Sequence, residues 1–162
     1  MGGGLLKMPD WLSHIIIGLI FAELFNINKK GLVVLGSLLP DFIVKINLLP
    51  AFFHVNGSLI FIAWLYHSPV MGIIIPGLIA PLFKYNWRKT YLFIALGFML
   101  HLVADSFTKH YNDGILLYPF SNGFFSFDVF WPEQYWVITI ASLAVYSIIK
   151  LVKYRISTKS PI

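Results

Sequence analysis

The chain has no cysteine among its 162 residues. This excludes disulfides, thiolate metal sites and cysteine nucleophiles. Charge is also scarce. Only 12% of the residues are Asp, Glu, Lys or Arg, about half of what soluble domains carry. No Ser–His–Asp order, glycine-rich phosphate loop or nucleic-acid motif is present. There is no internal repeat, no low-complexity tract and no polar linker that would divide the chain. Residues 1–10 lack the long apolar core and small-residue cleavage site of a signal peptide.

What the chain has in abundance is apolar surface. Apolar residues make up 58% of it, and the mean hydropathy is +0.78. Lipid accepts such surface directly, so the expectation is an all-α, polytopic membrane helical bundle forming one integral membrane domain over residues 1–162. Five apolar stretches cover about 11–25, 31–49, 58–83, 90–107 and 135–152. A span needs about 20 residues to cross a hydrocarbon core of roughly 30 Å. The first stretch is marginal, so four to five spans are expected.

The basic residues orient these spans. Lys29, Lys30, Lys84, Arg88, Lys89, Lys150, Lys153, Arg155 and Lys159 fall on one face if all five stretches cross. Lys7 and Lys109 fall on the other, with Lys45 near it. The positive-inside rule then places the chain in the cell (inner or plasma) membrane with its N-terminus outside and its C-terminus in the cytoplasm. The net charge of +5 is thus a topology signal, and no nucleic-acid partner is expected. Residues 109–134 carry Phe120, Phe124, Phe125, Phe127, Phe130 and Trp131, broken by Asn122-Gly123 and Pro132. They read as an outer interfacial flap, either an aromatic belt or a lid.

On this map the intramembrane ionisable residues are not scattered. His14, Asp41, His67, His101 and Asp105 come from four stretches and fall within roughly 15 Å of the outer surface, at 1.5 Å rise per residue. His54 and His110 lie in outer loops, and the inner half holds only Glu23. Buried Asp and His are costly in a bilayer and usually face a partner or a cavity. His101 and Asp105 are spaced i, i+4 and share a helix face. Pro40 precedes Asp41 and is expected to kink the second span beside the carboxylate. Pro69, two residues after His67, is expected to kink the third. Taken singly, each residue has a structural use: an interfacial histidine, a helix staple, a packing serine at Ser68 or a snorkelling Lys45. Taken together they point to one shared site. Three imidazoles and two carboxylates suit a divalent ion, zinc best, with manganese or iron(II) also fitting. Asp41 and Asp105 are the candidate catalytic carboxylates, each also a candidate ligand.

The same residues carry a family resemblance. Ser13-His14, Gly36-Ser37-Leu38-Leu39-Pro40-Asp41, Tyr66-His67-Ser68-Pro69, His101-Leu102-Val103-Ala104-Asp105-Ser106-Phe107 and Tyr118-Pro119-Phe120-Ser121 occur in this order. The set resembles the YdjM-like family of membrane-bound metal-dependent hydrolases. That resemblance implies a helical membrane fold, hydrolase activity and metal-site roles for His14, Asp41, His67, His101 and Asp105. Many members have a second aspartate where this chain has Ile43, and a His-Arg pair where it has Ile62-Ala63. These departures argue against a second metal. A metal-activated water attacking an ester or phosphoester of a small-molecule or lipid substrate is the expectation. An ion- or proton-coupled transporter would need polar groups in the inner half as well. A non-enzymatic membrane partner protein would use the same residues to join helices.

Overall fold

The computed structural model describes residues 11–48, 65–108, 118, 120, 121, 126–131 and 134–159, the side chains of 43–48 and 159 excepted. The described residues form helices joined by turns, with one isolated bridge between Thr108 and Phe130. Helix α1 covers Trp11–Leu24, α2 Lys30–Leu48, α3 Pro69–Ile79, α4 Trp87–Asp105 and α5 Tyr135–Lys159. A 3₁₀ turn, Ala80–Leu82, ends α3.

These boundaries follow local chemistry. Asn26 takes a positive φ of 51° and closes α1, a conformation that asparagine tolerates well. Asn86 caps α4 by accepting the Lys89 N–H at 3.2 Å. The third apolar stretch, expected as one helix over 58–83 with a kink at Pro69, is instead interrupted. Residues 65 and 66 are helical, His67 and Ser68 are not, and α3 starts afresh at Pro69. Ser68 is an N-cap whose Oγ accepts the Met71 N–H at 3.4 Å. Proline at the first helical position loses nothing, because its missing N–H would have had no partner there. The interruption holds His67 in a turn between helical segments. The part of the stretch before residue 65 lies outside the described residues, as do His54, Lys109, His110 and the side chain of Lys45.

Helix α4 packs most extensively on α2, α1 lies against α2 and α5, and α3 lies against α4. Leu32, Leu39, Ile75, Ile94, Phe98 and Leu102 form one core between α2, α3 and α4. Ala22, Ile27, Val33 and Leu100 form a second core beside α1. Two glycines set the α2–α4 distance. A Cβ on Gly36 would strike the Ile94 carbonyl, and one on Gly97 would strike the Val33 carbonyl and lie 2.8 Å from the Ser37 nitrogen. Small residues that let backbones touch are how helices associate where no hydrophobic force separates protein from lipid.

Among the described residues, one helix is both long and apolar enough to cross a membrane, Tyr135–Thr158. Helix α1, with 14 residues, spans only about 21 Å. Helices α2 and α4 have 19 residues each, about 28 Å, and carry Lys30, Asp41 and Lys45 in one, Arg88, Lys89 and Asp105 in the other. Among the described residues, length and composition thus identify one clear span of the four to five expected.

Candidate metal centre

The five residues singled out by the sequence meet in one cluster. His14 comes from the first turn of α1, Asp41 from α2 just past Pro40, His67 from the turn before α3, and His101 and Asp105 from the end of α4. His14 and His67 are 2% exposed, His101 1% and Asp105 8%. Asp41 is partly exposed and marks the open side of the cluster. Burial this complete makes the pairing of each polar atom in the cluster energetically important.

His101 is the hub. Its Nδ1 lies 2.8 Å from the carbonyl oxygen of Ser37. A carbonyl can only accept, so Nδ1 carries the proton and donates. In the neutral ring Nε2 then presents a lone pair. That atom lies 3.4 Å from His67 Nε2, 3.9 Å from Asp41 Oδ1 and 2.9 Å from Asp105 Oδ2. The His67 Nε2–Asp41 Oδ1 distance is 3.8 Å. His67 Nε2 can carry its own ring proton and donate to the His101 Nε2 lone pair, but the His101 Nε2–Asp105 Oδ2 contact at 2.9 Å sets a lone pair against a carboxylate and needs a proton between them, or a metal ion beside them that takes its place. The imidazoles of His14 and His101 stack with centroids 3.9 Å apart, and His14 Nε2 lies 3.0 Å from Asp105 Oδ1. Asp105 therefore bridges two imidazoles, one through each oxygen.

Two triads have the spacing to hold an ion, and both use His101: His14–His101–Asp105 and Asp41–His67–His101. Ligand atoms on a tetrahedral zinc at 2.0–2.1 Å stand about 3.4 Å apart. The edges of the Asp41–His67–His101 triangle, 3.4, 3.8 and 3.9 Å, come close to that figure. The contacts of Asp105 to His14 and His101, at 3.0 and 2.9 Å, are hydrogen-bond lengths. The first set has the edges of an ion site. In the second, Asp105 is at hydrogen-bond distance from His14 and lends negative charge beside His101 Nε2, whose orientation is set from the other side by the Ser37 carbonyl.

Sequence reasoning missed two contributors. The Ser37 carbonyl, which fixes the His101 tautomer, is a backbone atom that residue types do not reveal. It is within reach because Gly36 and Gly97 let α2 and α4 touch. Ser68 was expected only to pack between helices, yet its hydroxyl starts α3 and so places His67; the Ser-Pro pair was the available signal. The described part of the aromatic segment sits beside the cluster. Residues 126–130 fold onto the end of α4, with Phe127 N–H donating to Ser106 O at 2.6 Å and Val129 and Phe130 N–H both donating to Phe107 O at 3.0 Å. Phe107 and Phe127 stack at 5.1 Å.

A family model described as "YdjM inner membrane protein" matches residues 8–160. Neither a curated protein nor a solved structure matches the chain.

Proposed function

With the chain a member of the YdjM inner membrane protein family, and so a membrane protein, we propose that it is a membrane-embedded, metal-dependent hydrolase. Its site opens on the face opposite the basic loops, which is the non-cytoplasmic face if the N-terminus lies outside. Helices α1, α2, α3 and α4 would then be membrane-embedded alongside α5. The charged residues of α2 and α4 sit either in the cluster, as Asp41 and Asp105, or in the helical turns nearest the helix ends, as Lys30, Lys45, Arg88 and Lys89.

The observation that carries this reading is the convergence of acceptor atoms on His101 Nε2, with its Nδ1 proton committed to Ser37 O at 2.8 Å. Asp41, His67 and His101 would hold the ion, zinc by donor chemistry, with manganese and iron(II) as the other fits. When bound, such an ion supplies Lewis acidity and brings a water towards ionisation near neutral pH. The chain's own residues do the rest. The Ser37 carbonyl keeps the His101 lone pair turned inward. Asp105 Oδ2, 2.9 Å from His101, is placed to take up a proton from the attacking water. His14 Nε2, 3.0 Å from Asp105 Oδ1, shares that proton and relays it to the leaving oxygen. Burial of all three imidazoles keeps bulk water from competing.

The test is turnover of ester and phosphoester substrates presented in micelles to detergent-purified protein. Hydrolysis abolished by a chelator and restored by zinc or manganese supports the proposal. A fully metal-loaded protein with no chelator-sensitive turnover on either class would overturn it.

A further inference from the structure

The end of the bundle remote from the metal centre holds a second polar cluster that the proposed chemistry does not use. Glu23 lies about 13 Å along α1 from His14 and is 5% exposed. Three ammonium groups from two other helices converge on it. Lys30 of α2 pairs with Oε1, Lys150 of α5 lies 3.3 Å from the same oxygen, and Lys153 lies 3.6 Å from Oε2. Lys153 also donates to the Glu23 carbonyl and to Asn26 Oδ1.

This is more cation than a helix staple needs. Three ammoniums bring nine N–H donors, against about four acceptor positions on the carboxylate together with the Glu23 carbonyl and Asn26 Oδ1, and the three lysines and one glutamate carry a net charge of +2. The lysine side chains stay 36–53% exposed while the carboxylate is sealed, so their surplus donors face outward. Among the described residues no second carboxylate neutralises them. Lys29 lies over the Tyr85 ring at 4.3 Å, which brings the turn before α4, with Lys84, and the first turn of α4, with Arg88 and Lys89, to the same end. Among the described residues Glu23 is the one carboxylate there, since Asp41 and Asp105 belong to the metal centre and Asp128 to the segment folded on the end of α4. The surroundings are apolar and outward-facing: Leu24, Phe25, Leu151 and Tyr154 are all exposed. A ligand that matches both features carries a phosphate oxyanion and hydrocarbon.

We propose that Lys30, Lys150 and Lys153, gathered on Glu23, bind the phosphodiester headgroup of an anionic phospholipid. The headgroup takes the surplus ammonium donors, and its acyl chains lie along the exposed apolar surface of α5. Glu23 positions the lysines and at the same time competes with the lipid for them. This gives an asymmetric expectation. Removing lysines weakens lipid binding, whereas neutralising Glu23 strengthens it.

Native mass spectrometry of the detergent-purified full chain, titrated with phosphatidylglycerol or phosphatidylcholine, reads this directly. Wild type should retain phosphatidylglycerol selectively. The Lys150→Gln/Lys153→Gln variant should bind it about 30-fold more weakly, at roughly 1 kcal/mol per lysine. Glu23→Gln should bind it more tightly, and Arg155→Gln, which lacks contact with Glu23, should match wild type. Inorganic phosphate at millimolar concentration should leave the lipid bound. Unchanged selectivity in the double-lysine variant would overturn the site, weaker binding in Glu23→Gln would overturn the competition, and displacement by phosphate would reassign the lysines to a soluble anion. If Glu23→Gln does not fold, the double-lysine and Arg155→Gln comparison still decides the matter.

Discussion

Replacing Gly97 by alanine tests whether backbone contact between α2 and α4 is what builds the metal centre. The new Cβ would lie 2.8 Å from the Ser37 nitrogen and 2.9 Å from the Val33 carbonyl carbon, and would strike the Val33 carbonyl oxygen. Ordinary contact begins near 3.4 Å, and backbone cannot rotate aside as a side chain can. The Ser37 contact alone requires the helices to part by about 0.6 Å, and the nearer Val33 carbonyl oxygen requires more, at an overpacking cost of about 1–3 kcal/mol. The Ser37 O···His101 Nδ1 bond, now 2.8 Å, would stretch to the edge of hydrogen bonding and forfeit about 1 kcal/mol more. Losing the partner that orients a metal-binding imidazole typically costs 10–100-fold in metal affinity. Gly77→Ala is the matched control. Its Cβ would meet only Tyr91 Cε2, at 3.8 Å, and alanine favours the helix by about 0.5–1 kcal/mol. Thermal unfolding in detergent, with zinc titrated into metal-stripped protein, measures both effects. A Gly97→Ala protein as stable and as tight for zinc as the Gly77→Ala control would refute the reasoning.

Three further perturbations separate the parts of the site. Asp105→Asn keeps the Asp41–His67–His101 triangle but cannot take up a proton, so turnover should fall about 10²–10⁴-fold while bound metal is retained; loss of metal would instead favour the His14–His101–Asp105 triad as the ion's holder. Ser68→Ala removes the α3 N-cap, and should cost about 1 kcal/mol in unfolding free energy together with weaker metal binding, because His67 hangs from that turn. Ser126→Ala removes the hydroxyl that donates to Thr108 O at 2.6 Å and accepts Asp128 N–H at 3.0 Å, and limited proteolysis should then cut near residues 126–130 faster than in wild type.

The membership of the cluster was legible in the sequence because intramembrane charge is expensive, and a chain that places His and Asp in four apolar stretches must bring them together. Only the His101–Asp105 pair was local enough to be read from spacing. The division of labour was not legible. It depends on Ser37 offering a backbone carbonyl across a glycine contact to a residue far along the chain, and side-chain identity carries no trace of that. The break at His67 was hidden because apolarity runs straight through it, and apolarity cannot distinguish one long helix from two collinear pieces. Ser68-Pro69 held the information in its capping chemistry. Glu23 stood out in the sequence only as the ionisable residue of the inner half; the structure surrounds it with lysines from α2 and α5, a meeting that the positive-inside pattern foretells in sign but not in stoichiometry.

Metal content of the detergent-purified chain, wild type beside Asp41→Asn and His101→Ala, tests the central claim most directly. The wild type should hold about one equivalent of divalent metal, and both variants should lose it. The same trace of metal in all three proteins would contradict the account.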